Sequence, residues 1–399
     1  MTKSLSKYLS YIYLFLWMAY YLQDILMLKG VISQAILGVV IAVSICAFFY
    51  VNFCYRIGPF LRWLNLIIAV VTIYGLVLLF SGVALYPDEY SITTAYQYGY
   101  LQRIYSSILP LYAFYLFSLK GLITEENMLH IFLFVLAATF LMFYQLYFKR
   151  SEITEREEVT NNIGYRFVPL IPMLTLVRIK DALKYIFLIA IFAFVVMSMK
   201  RGAILIGTVA LLLFIKHQMK ARSTKQMLYI FLLTAVALCV IYLIVMNFYE
   251  TSDYFKIRFN KTLEGNSSGR DSMYRTYFDF FVYHTSAFEY LFGCGADSAY
   301  LKLGQYAHND WLEFAINQGV MGVLIYLFFW INFVREWKGF RPKTNNRFKQ
   351  VLGDLIIIYF LKSFFSMSFD GMFITATLCI GYCLAQRQRS DLLSSVYEP

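Results

Sequence analysis

Apolar residues dominate this chain in long uninterrupted runs. Each run extends for roughly 17–25 residues, the length that carries a helix across about 30 Å of hydrocarbon. Short polar stretches separate the runs. Twelve spans can be drawn, at about 8–28, 31–53, 60–82, 101–119, 128–148, 165–178, 183–199, 202–216, 227–249, 311–334, 351–368 and 371–386. The sixth and eighth are short, and Pro169 and Pro172 should kink or break the sixth. The count is therefore about twelve, within a range of 10–12. The pattern predicts an all-α integral membrane protein, with residues 1–399 forming a single polytopic membrane domain. It shows no soluble domain, low-complexity tract or internal repeat.

The positions of Lys and Arg orient these spans. With Lys3 and Lys7 inside, the basic connections alternate in step: Arg56 and Arg62, then Arg178, Lys180 and Lys184, then Lys216, Lys220, Arg222 and Lys225. Six basic residues between Arg335 and Lys349 also fall inside, as do Arg387 and Arg389, while Asp88 and Glu89 fall outside. Both termini are thus expected in the cytoplasm. This distribution answers the question raised by the net charge of +11. The cations hold cytoplasmic loops in place, and no nucleic-acid partner is expected. Charged residues make up 15% of the chain against about 25% in a soluble domain, which agrees with a membrane protein. Cys294 alone among six cysteines falls in an outward loop, so no internal disulfide is expected.

The longest non-membrane segment, residues 250–307, lies outside between spans nine and ten. It carries six basic and seven acidic residues. Arg270 to Tyr290, rich in Tyr and Phe among charges, predicts an amphipathic helix at the membrane surface.

Five polar clusters fall at the outer face. In Ser198-Met199-Lys200-Arg201-Gly202, two cations sit in a tight outward turn. They either snorkel to headgroups or aim into a cavity, where the Arg201 fork would hold an anion. Gly269-Arg270 opens the surface helix, where Arg270 is either an exposed charge or part of a phosphate site. Arg275 lies roughly 140° further around that helix. His308-Asn309-Asp310 leads into span ten. Asn309 and Glu313 share a helical face, and His308 is placed to act as a general base or to bond a hydroxyl. Glu313, Asp310 and Asp297 are rival bases, and Gly319 and Gly322 should allow close helix contact. Asp370 sits in the last outward turn, and Asn161 to Arg166 supplies amides, Tyr165 and Arg166. Each of these clusters also reads as ordinary solvated flank. No phosphate loop, zinc motif or cytoplasmic DxD-like signature occurs.

Three of these elements together resemble the bacterial O-antigen ligase and polymerase superfamily, whose polymerases are called Wzy. They are the S-x-x-R-G turn at Ser198–Gly202, the Gly269-Arg270 pair, and Gly293 and Gly295 followed by His308-Asn309 and Gly319 to Gly322. The resemblance covers roughly residues 160–385. Met199-Lys200 departs from the usual S-x-S-R-G and adds a second charge. The resemblance implies a GT-C-like, metal-independent, inverting glycosyltransferase of the bacterial cytoplasmic membrane, with no cofactor. Its donor would be a glycan on undecaprenyl diphosphate at the outer leaflet, and a chain-length regulator and a flippase would be its partners.

In that reading Arg201 and Arg270 stabilise the leaving diphosphate and His308 orients or deprotonates the acceptor. Lys200, Arg275, Asn309, Asp310, Glu313, Tyr165, Arg166 and Asp370 would bind substrate. The favoured activity is repeat-unit polymerisation. The alternatives are a ligase that hands the finished glycan to lipid A–core or another acceptor, and a transporter of lipid-linked oligosaccharides. Lys362 is the exception among span interiors otherwise nearly free of charge.

Overall fold

The computed structural model describes residues 3–26, 28, 30–80, 94–149, 163–219, 223–251, 253–263, 269–340, 346–367, 369 and 374–397. No strand occurs among these residues. The helices are α1 (Lys3–Ile25), α2 (Val31–Cys54), α3 (Pro59–Phe80), α4 (Thr94–Ile108), α5 (Pro110–Leu119), α6 (Glu125–Lys149), α7 (Gly164–Phe167), α8 (Leu170–Leu176) and α9 (Asp181–Met197). They continue as α10 (Arg201–Met219), α11 (Thr224–Thr251), α12 (Asp253–Leu263), α13 (Arg270–Tyr283), α14 (Ala287–Phe292), α15 (Ser298–Leu303), α16 (Asp310–Lys338), α17 (Asn346–Lys362) and α18 (Ile374–Tyr397).

Six of them, α2, α3, α6, α10, α11 and α16, are long and apolar enough to cross a membrane. The protein is an all-α membrane protein. The stretch 101–119 is broken at Pro110, where proline cannot donate to the preceding turn, so α4 ends and α5 begins there. Pro169 likewise separates α7 from α8, as its position in the sequence suggests.

One large core joins most of the helices. α5 and α18 form its densest contact. Gly381 lies against the α5 backbone, where an added Cβ would sit 2.6 Å from the Leu111 carbonyl oxygen. Small residues permit such approach where burying apolar surface gives no advantage over lipid. Elsewhere α16 packs on α3 and α14, and α9 packs on α11.

The segment 250–307 builds a second, smaller core with the start of α16. Tyr277, Ala299, Ala307 and Ile316 are buried together, with Met273, Phe280, Phe281, Leu303 and Leu312 around them. Met273, Tyr277 and Phe281 recur every four residues and so form one stripe of α13. The single helix expected over Arg270 to Tyr290 is two. α13 ends at His284, and Ser286 with Glu289 forms a capping box that starts α14.

Gly319 and Gly322 are corrected in one respect. Gly319 adopts φ 70 and ψ −165 and interrupts α16 rather than lying on a continuous helix face. The close approach is present, but its partner is the Leu291–Gly295 backbone. Carbonyls left without a helical donor by the break are met there: Cys294 N–H donates to the Ile316 carbonyl at 2.8 Å and Gly295 N–H to Asn317 at 3.1 Å. A Cβ on Gly319 would fall 2.5 Å from the Leu291 carbonyl carbon, and one on Gly293 would meet the Asn317 backbone. The G-x-G and the later glycine are two sides of one backbone-to-backbone contact.

Candidate functional site

The tail of the 250–307 segment delivers His308 to the start of α16, and several bonds fix it there. Asn309 is the N-cap: its Oδ1 accepts from Trp311 N–H at 2.9 Å and Leu312 N–H at 3.3 Å. Asp310 N–H donates to the Ser363 carbonyl at 2.9 Å, tying the start of α16 to the end of α17. Glu313 Oε1 accepts the Ala307 N–H at 2.6 Å. His308 itself lies between these anchors with φ 51, in the left-handed region that non-glycine residues seldom adopt. The residue is partly exposed, and no hydrogen-bond partner meets the ring among the described residues. The loop therefore presents the imidazole outward at a fixed place.

Two cationic segments, with α7 packed between them, converge near it. The Ser198–Lys200 turn closes with Ser198 N–H to the Phe194 carbonyl at 3.0 Å and Met199 N–H to Val196 at 2.9 Å, with Met199 at φ 55. Close packing explains the small residues of this turn. A Cβ on Gly164 of α7 would crowd Ser198 and come within 2.9 Å of the Ala203 Cβ, and one on Gly202 would meet the Tyr165 hydroxyl. Ser198 and Gly202 thus let α7 dock on the turn and bring Tyr165 to it. Gly269, at φ 79, turns the chain into α13 so that Arg270 is its first residue. Arg270 and Ser366 face the Tyr165 hydroxyl, and Arg270 and Asn309 flank Tyr274. Tyr274 donates to the Phe364 carbonyl at 3.0 Å, the same oxygen that Asn309 Nδ2 approaches at 3.4 Å.

Lys200 and Arg270 are within electrostatic reach of His308. Partial burial, then Lys200 and then Arg270 hold its imidazole below the usual histidine range. The ring is neutral near pH 7, the form that accepts a proton.

The sequence-derived residues do not all share one place. Tyr165, Lys200, Arg270, His308 and Asn309 come together. Arg201, the first residue of α10, lines an adjoining apolar cavity of about 270 Å³ with Met199, Ile204, Leu205, Phe255 and Phe259. Arg166 lies near Lys362. Arg275 is exposed on α13, away from the buried Tyr277 stripe. Asp310 accepts from Tyr326 at 2.9 Å and, with Glu313, lines a small cavity of about 50 Å³. Asn309, Asp310 and Glu313 each also make a bond that holds the backbone around His308. Asp370 lies outside the described residues.

Two further charges belong to the site's support. Lys362, buried at the last position of α17, lies near Asp310 and sits 5.2 Å over the Tyr165 ring. It is thus at the site end of α17. Arg103 of α4 pairs with the buried Asp297 at 3.1 Å and donates to Tyr306 at 3.3 Å, bracing the loop that leads to His308. An arginine in an otherwise apolar stretch was the available signal for Arg103, but spacing could not name its partner 194 residues away.

The arrangement is a rigidly presented neutral imidazole beside two cations, with an apolar cavity and a third cation adjoining. It can take a proton from a hydroxyl while holding an anion. No curated protein matches the chain. Residues 186–327, which include Arg201, Arg270 and His308, match the family model described as O-antigen ligase, a match that supports the O-antigen ligase and polymerase superfamily.

Proposed function

We propose that this protein is a glycosyltransferase that polymerises lipid-linked oligosaccharide repeat units at the outer face of the bacterial cytoplasmic membrane. The donor is a glycan on undecaprenyl diphosphate. The observation that carries the reading is the convergence of Lys200 and Arg270 on His308. Arg201 at the rim of an apolar cavity supports it, because a prenyl diphosphate needs a cation beside an apolar groove.

In the reaction, a hydroxyl at the non-reducing end of the acceptor attacks the donor's anomeric carbon from the face opposite the diphosphate. The C1–O bond to the diphosphate breaks and its electron pair leaves with that oxygen. The hydroxyl proton passes to His308. Arg270, Lys200 and Arg201 meet the charge that grows on the leaving group, and such preorganised contacts gain strength where water is scarce. Tyr165 and Tyr274 position Arg270, and attack from the opposite face inverts the anomeric centre.

The family description favours a second reading, a ligase that transfers the finished glycan to lipid A–core or another acceptor. Purified protein in nanodiscs, given only undecaprenyl-diphosphate-linked repeat units, separates the two. A product ladder at one-repeat spacing supports the polymerase. Transfer only after lipid A–core is added supports the ligase. Folded protein that does neither would overturn both readings.

A further inference from the structure

α9 and α10 form a hairpin whose closed end carries Ser198 to Arg201. Its open end, where α9 begins and α10 finishes, borders a pocket of about 850 Å³. Arg178 and Lys180 reach it from the α8–α9 connection, Lys184 from the first turn of α9, His217 from the last turn of α10, and Arg347 and Gln350 from α17. Four guanidinium and ammonium groups from three segments therefore line one concavity. The Lys and Arg bias along the chain assigns this end to the cytoplasm.

Ordinary cytoplasmic flank would leave such cations splayed in water. Here several are held. Arg178 and Arg347 both pair with Glu125, which fixes two forks side by side. His217 Nε2 and Asp354 Oδ1 are 2.8 Å apart, and Asp354 is buried on α17. Lys180 has no acidic partner among the described residues, and it is the N-cap of a helix whose first N–H groups have no side-chain cap. Even with Glu125 and Asp181 counted, the rim keeps a positive excess. A separate observation points inward. Thr175 lines the pocket and is 8% exposed, and its hydroxyl has no hydrogen-bond partner among the described residues. A buried hydroxyl without a partner is costly, and a ligand oxygen would remove that cost.

We propose that this pocket is a binding site for a phosphate-bearing anion, at the opposite end of the α9–α10 hairpin from His308. Planar forks at Arg178 and Arg347 suit two phosphate oxygens, Lys180 and Lys184 supply compact charges, and Thr175 supplies a neutral donor. The ligand is either a soluble phosphate compound or the headgroup of an anionic phospholipid. The site does not depend on the glycosyltransferase reading.

The test is thermal unfolding of the full chain in phosphatidylcholine nanodiscs, titrated with inorganic pyrophosphate against sodium chloride of equal ionic strength. A parallel set of nanodiscs contains phosphatidylglycerol. The variants are Lys180→Gln with Lys184→Gln, which spares the Glu125 pairs, and Thr175→Val, which keeps the shape and removes the hydroxyl. A saturable rise in the wild-type midpoint with pyrophosphate, with affinity about tenfold or more weaker in the double variant, supports the site with a soluble ligand. No response to pyrophosphate, but a higher midpoint in phosphatidylglycerol that the double variant loses, supports it with a lipid. Thr175→Val should weaken whichever response is seen while leaving the unliganded midpoint unchanged or raised. The proposal is overturned if neither probe separates wild type from both variants, or if sodium chloride reproduces the rise.

Discussion

The Ala307 N–H donates to Glu313 Oε1 at 2.6 Å, and the residue between Ala307 and the Asn309 cap is His308. A carboxylate that sequence spacing offers as a rival base is thus occupied in holding the histidine's neighbour. Glu313→Gln keeps an oxygen for that bond and should retain most of the activity. Glu313→Ala leaves a buried donor unmet, which costs about 1–3 kcal/mol, and should lower both the unfolding midpoint and turnover. Glycan transfer and thermal unfolding measured on both variants decide the matter. Loss of all activity in a stable Glu313→Gln protein would make Glu313 the base.

The contact between Gly202 and the Tyr165 hydroxyl predicts a compensation. Gly202→Ala puts a methyl onto that oxygen, while the next ring atom, Cζ, would be 3.2 Å away. Overpacking of this kind costs about 1–3 kcal/mol. Tyr165→Phe in the Gly202→Ala background removes the obstructing atom and should recover most of the lost stability in a thermal melt. No recovery would mean that the turn and α7 do not meet in this way.

Gly319 should be more sensitive than its position in an apolar helix suggests. Its backbone lies where only glycine is comfortable, and a side chain would strike the Leu291 carbonyl carbon at 2.5 Å. Gly319→Ala should cost about 3 kcal/mol or more from strain and collision together. Gly293→Ala, on the other side of the same contact, should cost a similar amount. Urea or thermal unfolding in detergent measures both. Wild-type stability in Gly319→Ala would show a continuous helix there.

The electrostatics of His308 set the direction of a pH effect. Burial and two positive neighbours all disfavour the imidazolium, so its pKa lies below the ordinary value of 6.5. The acid limb of kcat/KM should accordingly fall below pH 6.5, because the neutral ring is the active form. Lys200→Gln removes one positive neighbour and should move that limb upward, toward 6.5. The unfolded chain binds the proton more readily than the folded one. This group therefore favours the folded state above pH 6.5, and that contribution falls as the pH drops through the unfolded value. A limb that stays fixed or moves down in Lys200→Gln would separate Lys200 from His308.

Much of the fold and of the site is legible in the sequence. Long apolar runs identify the helical membrane class. Ser198 to Gly202, Gly269-Arg270 and His308-Asn309 stand out because polar residues at the mouths of apolar helices are costly without a reason. Local spacing does not reveal which distant segments meet. The Arg103–Asp297 pair joins residues 194 apart, and Lys362 reaches Asp310 and Tyr165 across three elements. Gly319 and Gly322 have the spacing of a helix-contact motif, but the backbone of Leu291–Gly295 lies against Gly319 alone, where the helix breaks. The bonds of Asn309, Asp310 and Glu313 to Trp311, Ser363 and Ala307 cannot be read from spacing either, because they depend on the folded loop.

In the proposed mechanism, Arg270 and its neighbours stabilise charge on a departing diphosphate while His308 takes the acceptor's proton. The most direct measurement is the single-turnover rate of glycan transfer from undecaprenyl diphosphate, at saturating donor, for wild type, Arg270→Ala and His308→Ala of verified fold. That mechanism predicts a loss of about 10²–10³ for Arg270→Ala, by analogy with the removal of one oxyanion donor, and about 10²–10⁴ for His308→Ala. A folded Arg270→Ala protein that transfers glycan at the wild-type rate would contradict it.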